Sequence, residues 1–367
     1  MSKPRILFSM PTRHHVEIAL DEMEGLQERG YTCNKFFYAA KDGVRSNTGR
    51  MRVIFQNAFN LIKLARFFKP DVIYFNSRLE VLAGIRDFIT ISLFKTFYRH
   101  PVSFIIKSHG SDIDVFESKN PLISKIVLPF LKKHVSAWLF LSTEERKKIT
   151  EADYLPAAKV FVTKNIVRIT QFKADDAFRK QYKIPDHHKI LLFVGRVIKQ
   201  KGIFDVIKAF PQIKQQHDVK LIIVGDGTEL ESIQQLTIEL GITNQVIFTG
   251  FIPEQDVIPF YANSDILVFP TYFPEGFPMA LFNAVAAGMC IVTTPTRAAV
   301  DYLTEPENCL WTEPENSTNL ANKVNNLLQS TALITEMKAN NMIKGNLFSK
   351  RQVCVELAAT IEKVINL

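Results

Sequence analysis

Charged side chains follow strand-like runs at two places in the second half of the chain. Arg196 and Lys201 come after the apolar run 190–194, and Glu275 comes after the apolar run 266–269. Parallel strands end at one edge of a sheet, where ligands bind in open α/β folds. Arginine and lysine suit phosphate oxygens, and a carboxylate accepts hydrogen bonds from hydroxyls. A helix predicted to begin just after Glu275 also favours an anion. The pattern therefore predicts a site for an anionic, polyhydroxylated ligand.

The residues around Glu275 resemble the motif of a known family. Glu275-Gly-Phe-Pro-Met-Ala-Leu-Phe-Asn283 is similar to the Glu-x7-Glu donor-binding motif of retaining GT-B glycosyltransferases, family 4. Further similar motifs follow in the family's order along the chain: His109-Gly-Ser-Asp112, Gly195-Arg196 with Lys201-Gly202, and Gly225-Asp-Gly227. The resemblance is strong from about residue 189 to 328 and weaker over the first half of the chain.

The resemblance implies an activity and a set of site residues. It implies transfer of a sugar from a nucleotide diphosphate with retention at the anomeric carbon, and no cofactor or metal ion. The residues implied to act in catalysis are His109, which contacts the sugar near the reacting centre, Glu275, Arg196 and Lys201, the last two holding the diphosphate. The residues implied to bind the donor are Gly195, Asp226, Ile252, Gly276, Phe277, Pro278, Met279 and Asn283.

Two departures from the family pattern bear on donor binding. Asn283 stands where the family has the second glutamate of the motif. A neutral amide oxygen accepts hydrogen bonds more weakly than a carboxylate, so we expect donor affinity to fall several-fold. The loop after the first strand is Ser9-Met-Pro-Thr-Arg-His-His15, without the family's Gly-Gly. Its Arg13 is a candidate for contact with phosphate or acceptor, and a solvated turn is the other interpretation.

Strand-like and helix-like runs alternate through the chain and must position these residues. Such alternation predicts an α/β fold with a doubly wound parallel sheet. With the resemblance, we predict the GT-B architecture of two Rossmann-like domains that face each other across a cleft. Residues 1–172 form the predicted acceptor-binding domain, and residues 173–349 the nucleotide-sugar-binding domain. Residues 350–367 form a last helix that, as in similar enzymes, packs back on the first domain.

Composition and charge narrow the possible partners. The 367 residues carry a net charge of +8, yet the first 170 hold 27 basic and 16 acidic side chains, while the remainder is slightly acidic. This asymmetry predicts an anionic partner for the first half. The four cysteines are widely spaced, as in cytosolic proteins with reduced thiols. No apolar run reaches the roughly 20 residues of a membrane-spanning helix, so a membrane would be bound at its surface.

The predicted helix 50–69 places basic and aromatic side chains together. Arg52, Gln56, Phe59, Lys63 and Arg66 share one face, and a second apolar-basic stretch covers 86–99. Such a face suits an anionic membrane interface. The alternative interpretation is an ordinary solvated helix face above a core. Both remain open at the level of sequence.

Together these features favour a cytoplasmic glycosyltransferase that uses a nucleotide sugar, with a UDP-sugar as the expected donor. A glycan or lipid-linked acceptor in bacterial surface polysaccharide synthesis would fit the basic first half. A GT-B epimerase or phosphorylase and a catalytically weak sugar-nucleotide-binding scaffold are the alternatives that share this fold. A nucleic-acid-binding protein fits the charge but lacks a recognition motif. A nicotinamide dehydrogenase is disfavoured because no Gly-x-Gly-x-x-Gly follows a strand.

Overall fold

The chain divides into two units. The computed structural model describes residues 3–11, 16–38, 46–110, 113–168 and 171–366. Residues Met1–Ile166 and Lys350–Leu367 form the first unit, and Val167–Ser349 form the second. The chain therefore passes from one unit to the other at 166/167 rather than at the predicted 172/173. Each unit contains a six-stranded sheet. The prediction of an α/β fold with two Rossmann-like doubly wound domains is confirmed.

The first sheet is parallel throughout. Its strands are β1 (Arg5–Met10), β2 (Thr32–Phe37), β3 (Val72–Ser77), β4 (Ser103–Ser108), β5 (Val135–Phe140) and β6 (Val160–Val162). They lie in the order β2-β1-β3-β4-β5-β6. The helices of this unit are α1 (Val16–Gln27), α2 (Asn47–Phe68), α3 (Val81–Phe97), α4 (Asp114–Glu117), a π-helical turn (Ile123–Val127) that runs into α5 (Leu128–His134), and α6 (Thr143–Glu151).

Alternation along the strands gives the first sheet two apolar faces. In β1, Ile6 and Phe8 pack with α1, whereas Leu7 packs with α2 and α3. This follows from the two-residue period of a strand. The sequence did not indicate β6, because three residues are too few to show a periodic pattern. Gly30 ends α1 as predicted, with φ of +88°, and its N–H donates to the carbonyl of Gln27.

The last helix, α15 (Lys350–Ile365), belongs to the first unit. Its residues Leu357 and Ile361 are buried in the core that lies on the α1 side of the sheet. Lys350 pairs with Glu24 of α1 at 3.0 Å. Gly25 leaves room for the Cys354 thiol, which a β-carbon at that position would meet. The chain thus returns to its first domain after the second unit is complete.

The second unit contains another parallel sheet. Its strands are β7 (Lys189–Val194), β8 (Val219–Val224), β9 (Val246–Gly250), β10 (Ile266–Phe269), β11 (Cys290–Thr293) and β12 (Leu310–Trp311). They lie in the order β12-β11-β10-β7-β8-β9. The helices are α7 (Asp176–Gln181), α8 (Ile203–Lys214), α9 (Leu230–Glu239), α10 (Ile258–Asn263), α11 (Met279–Ala286), α12 (Arg297–Tyr302), α13 (Ser317–Gln329) and α14 (Thr331–Gly345). The prediction that β11 closes the pattern was wrong, since the two-residue β12 pairs beyond it.

Among the described residues, no helix is long and apolar enough to cross a bilayer. The longest described helix, α2, is amphipathic. Its residues Leu61, Ile62 and Ala65 are buried on one side, while Lys63 and Arg66 lie on its exposed side.

A fully buried ion pair joins α1 to β4 and gives the first prediction. Lys107 Nζ lies 2.5 Å from Glu22 Oε1, and neither side chain is accessible to solvent. Lys107→Met would leave the Glu22 carboxylate buried without its partner. Loss of one member of a buried pair typically costs about 3–5 kcal/mol. We therefore expect the first unit to lose about that much free energy of unfolding.

Urea unfolding followed by Trp138 fluorescence in a Trp311→Phe background measures this loss, because Trp138 is buried in the first unit. The matched control is Lys148→Met, which breaks the exposed Lys148–Glu117 pair. Exposed pairs contribute about 0–1 kcal/mol, so the control should unfold like the parent. Equal effects of the two substitutions would contradict a stabilising role for the buried pair.

Candidate active site

The predicted site of the second unit lies where the strand order reverses. The chain begins its sheet at β7, continues through β8 to β9, and then returns to the other side of β7 with β10. The loops after β7 and β10 therefore leave the carboxyl edge side by side and turn in opposite directions. This topological switch point is where open α/β sheets bind ligands. Arg196 and Lys201 lie on the first loop, and Glu275 lies on the second.

Two glycines let the loops of this edge approach one another. Gly202, at the start of α8, has φ of +74°, and a β-carbon there would collide with the carbonyl oxygen of Pro270 in the loop after β10. Gly225 follows β8, and a β-carbon there would collide with the carbonyl of Gly195 after β7. Gly195 itself has φ of +156°, and its predicted contact with the donor stays a prediction.

Lys201 and Glu275 form an ion pair across the two loops. The Lys201 ammonium donates to Glu275 Oε1 and is buried, whereas the Glu275 carboxylate is about a quarter exposed. Burial lowers the pKa of Lys201 below the ordinary value of 10.5, and the Glu275 carboxylate partly offsets this by favouring the charged form. The pair thus holds a cation and an anion at the switch point.

An aromatic ring that the sequence analysis did not single out supports both cations. The Arg196 guanidinium lies 4.7 Å from the ring centroid of Phe273, and the Lys201 ammonium lies 5.3 Å from it. A ring face attracts cations without neutralising them. Arg196 is exposed, so its planar donor fork is accessible to phosphate oxygens. Phe273 occurs two residues before Glu275, and this proximity was the signal available in the sequence.

The amino end of α11 follows Glu275 directly. Pro278 occupies the N-cap position, and the helix begins at Met279. Within the described chain, no side chain caps this end. The amides of its first turn therefore favour an anion, together with Gly276 before them. The ring of Phe277 stacks on Phe282 at a centroid distance of 3.9 Å and is buried. Its main chain, not its ring, is left for a ligand.

Two further predicted donor contacts lie on neighbouring loops of the same edge. Asp226 follows β8, and its carboxylate accepts from the N–H of Gly227 at 2.7 Å, which shapes the turn. Its main-chain carbonyl accepts from the N–H of Val197 in the loop after β7. Ile252 follows β9 and is partly exposed. The structure brings both loops to the carboxyl edge of the sheet.

Asn283 has a protein partner instead of an open position. Its side chain is on α11 and only 7% exposed. It hydrogen-bonds with the hydroxyl of Tyr261 on α10, a residue that the sequence analysis did not single out. Burial raises the pKa of Tyr261, and the hydrogen bond with Asn283 acts in the opposite direction. A hydrogen bond that lowers the pKa of Tyr261 is one that the Asn283 amide N–H donates, so this nitrogen already has a partner within the protein.

His109 occupies the corresponding edge of the first sheet, directly after β4. Its Nε2 lies 2.7 Å from Asn76 Oδ1, and Asn76 Nδ2 donates to the carbonyl of Ser9 at 2.9 Å. Because Asn76 presents its oxygen to the ring, His109 Nε2 carries a proton and donates it. Asn76 fixes the ring orientation, and the sequence analysis did not identify it. Arg13, the candidate contact of the first loop, lies outside the described residues.

Potential metal ligands lie away from this edge. His187, His188 and Asp218 form the one group of three such residues found among the described side chains. They precede β7 and β8, so they lie at the amino edge of the second sheet, opposite the charged loops. Arg196 and Lys201 supply cations at the carboxyl edge.

Comparison with known proteins gives the class of the second unit. Residues 174–345 match the family of glycosyl transferases group 1. The chain is 32% identical over 151 residues to an uncharacterized glycosyltransferase of Methanocaldococcus jannaschii, covering 41% of this chain and 38% of that protein. It is 27% identical over 201 residues to the capsular polysaccharide biosynthesis glycosyltransferase CapM of Staphylococcus aureus, covering 54% of this chain and 52% of CapM.

Solved structures share the fold over nearly the whole chain. HepE of Anabaena, in complex with UDP and glucose, is similar with a TM-score of 0.76 at 18% identity, and the match covers 98% of this chain and 99% of HepE. The fold is thus that of the GT-B glycosyltransferases. Over residues 174–345, the chain resembles the glycosyl transferases of group 1, in line with the predicted class of transferase enzyme. The chain covers less than two thirds of the length of either sequence relative.

The Lys201–Glu275 pair leads to a prediction about stability and pH. Glu275→Gln removes the carboxylate that favours the buried ammonium, so we expect the second unit to lose about 1–3 kcal/mol at pH 7. Lys201 has a lowered pKa in the folded state, so the folded protein gives up this proton at lower pH than the unfolded chain. Stability rises with pH where the unfolded state binds more protons. Without the Glu275 carboxylate the pKa of Lys201 falls further, so the variant gains stability with rising pH before the parent does, and the loss should shrink as the pH approaches 10.

Urea unfolding at pH 7 and pH 10, followed by Trp311 fluorescence, measures both effects. Glu336→Gln is the matched control because Glu336 is exposed on α14. It should leave stability unchanged at either pH. A Glu275→Gln loss that stays constant or grows between the two pH values would contradict the lowered pKa of Lys201.

Proposed function

We propose that the protein is a retaining glycosyltransferase of family 4 that transfers a sugar from a nucleotide diphosphate sugar to an acceptor. The observation that carries the proposal is the meeting of Arg196, Lys201, Glu275 and the amino end of α11 at the switch point of the second sheet. Cations and helix amides suit the diphosphate, and the carboxylate suits the hydroxyls of the sugar. The loops after β7 and β10 thus present partners for both the diphosphate and the sugar of the donor.

The proposed chemistry relies on electrostatics rather than on a protein nucleophile. The bond between the anomeric carbon and the diphosphate oxygen breaks, and the acceptor oxygen bonds to the same face of the carbon. The acceptor proton passes to the leaving diphosphate. Arg196, Lys201 and the helix amides stabilise the charge that develops there, which is commonly the largest catalytic contribution. His109 contacts the sugar in this scheme, and the reaction needs no metal ion.

UDP is the proposed nucleotide of the donor. Its support is the fold shared with HepE, whose structure holds UDP and glucose. A glycan or lipid-linked acceptor in bacterial surface polysaccharide synthesis is proposed from the similarity to CapM, a capsular polysaccharide biosynthesis protein. The first unit would bind this acceptor, and its excess of basic residues suits an anionic or membrane-held one.

The same charge supports a proposed location. We place the protein in the cytoplasm, attached peripherally to the inner face of the cell membrane through its first unit. Basic side chains near an anionic bilayer surface contribute to attachment, and salt weakens this contribution.

A second function is favoured by one observation. Asn283 replaces the acidic residue of the family motif and is engaged with Tyr261. A protein that binds the donor weakly and scaffolds another glycosyltransferase would tolerate this change. Such a scaffold should bind nucleotide without turnover, whereas the proposed enzyme should also release nucleotide when acceptor is present.

A thermal-shift panel tests donor binding. UDP, GDP, ADP, CDP and dTDP are each added to the full chain, together with their sugar derivatives. A ligand at 100 times its Kd stabilises a protein by about 2.7 kcal/mol. We expect UDP and a UDP-sugar to raise the Tm selectively. Arg196→Ala should weaken UDP binding about ten-fold or more, because charged hydrogen bonds to the phosphates are lost.

Lys208→Ala is the matched control, since Lys208 is an exposed cation of α8 in the same unit. It should bind UDP like the parent. Turnover in EDTA, with the anomeric configuration of the product read by NMR, then tests the reaction. Inverted product or a requirement for metal would contradict the proposed mechanism, and binding without turnover in the presence of lipid-linked acceptors would favour the scaffold.

A further inference from the structure

An exposed face of α2 combines aromatic and basic side chains without any acid. We define the aromatic-basic face as Arg52, Phe55, Phe59, Lys63, Arg66 and Phe67. The exposed fractions of Phe55, Phe59 and Phe67 are 41%, 50% and 89%. The whole of α2, from Asn47 to Phe68, contains no Asp or Glu. Large phenylalanines are normally buried, so three on one exposed face need a physical explanation.

The helix is fixed in an orientation that keeps this face outward. Leu61, Ile62 and Ala65 are buried on its opposite side within the core of the first unit. At its carboxyl-terminal half, Arg66 Nη2 donates to the carbonyl of Phe97 at the end of α3 at 3.2 Å. The rings of Phe59 and Phe97 lie 5.9 Å apart, and Phe97 is itself 46% exposed. The aromatic surface therefore continues from α2 onto α3.

The chemistry of the face identifies what could cover it. Apolar rings favour insertion at the boundary between headgroups and acyl chains, and basic side chains beside them favour anionic headgroups. The absence of acids on α2 removes repulsion along the full length of the helix. Each lysine or arginine near an anionic surface increases partitioning about five-fold at moderate salt. The face thus offers both signals that reversible membrane attachment requires.

We infer that the aromatic-basic face is the surface with which the protein docks on an anionic lipid bilayer. The inference rests on the proposed membrane location and adds which residues make the contact. Phe55, Phe59 and Phe67 enter the interface, while Arg52, Lys63 and Arg66 meet the headgroups. The helix lies parallel to the membrane plane, because its aromatic residues extend from the third turn to the last.

Vesicle flotation of the full chain tests the inference. Vesicles of phosphatidylcholine alone are compared with vesicles that contain phosphatidylglycerol, at low and high salt. We expect flotation with the anionic vesicles at low salt only. Phe59→Ser with Phe67→Ser should reduce the bound fraction about ten-fold or more, because two inserted rings are lost. Lys63→Gln with Arg66→Gln should also reduce it by an order of magnitude, in line with about five-fold for each charge.

Matched controls come from the second unit. Met342→Ser with Ile343→Ser removes two exposed apolar side chains of α14, and Lys180→Gln with Lys183→Gln removes two exposed charges. Both controls should float like the parent. As a direct reporter, the emission of Phe67→Trp should shift to the blue on anionic vesicles, whereas that of Met342→Trp should not.

Flotation of the parent tests the membrane location, and flotation of the face variants tests which surface makes the contact. If the parent floats and the face variants float equally well, this face is not the docking surface, although the membrane location stands. If the parent does not float, both the location and the lipid occupant are wrong, and a protein partner becomes the occupant of the face. Donor binding is read separately by the UDP thermal shift, which the face variants should retain.

Discussion

A buried cation needs an anion beside it. At the switch point of the second sheet, this anion comes from a different loop than the cation, so the ion pair joins the two loops. Lys201 reaches the core from the loop after β7, and the Glu275 carboxylate that neutralises it comes from the loop after β10. Because these strands are neighbours, the pair spans the line where the chain reverses direction. Phe273 then supports both Lys201 and Arg196 from one side. The charged groups of the site are therefore mutually positioned before any ligand arrives.

The first unit also contains a buried cation that is neutralised by a carboxylate from another element. The buried Lys107 lies in β4, two residues before His109, and Glu22 of α1 neutralises it. At the end of the same strand, Asn76 and Ser9 connect His109 to β3 and β1. Three adjacent parallel strands thus hold the histidine in one orientation. In both units, side chains at the carboxyl edge depend on polar partners from neighbouring strands, which is possible because parallel strands all end at that edge.

In the first unit, contact with a ligand and attachment to lipid would use separate surfaces. The carboxyl edge carries His109, whereas the aromatic-basic face lies on the outer side of α2. The inner side of that helix, through Leu61 and Ile62, belongs to the core. A helix can serve a core and an interface together because its 3.6-residue period separates the two sides. Attachment to lipid and contact with a ligand can then be altered by different substitutions.

The sequence by itself determined the order of the elements and the types of residue at the strand ends. Arg196, Lys201, Glu275 and His109 could be predicted because apolar runs and glycines are local signals, and because local motifs resemble a family. Only the tertiary structure decided which side chains meet. Tyr261 and Asn283 are 22 positions apart, since they lie on different helices, and Asn76 is far in sequence from His109. It also decided that the Phe277 ring is in the core while Phe67 is exposed, although both are phenylalanines near helix ends. Burial depends on what packs against a residue, and that information is not contained in local spacing.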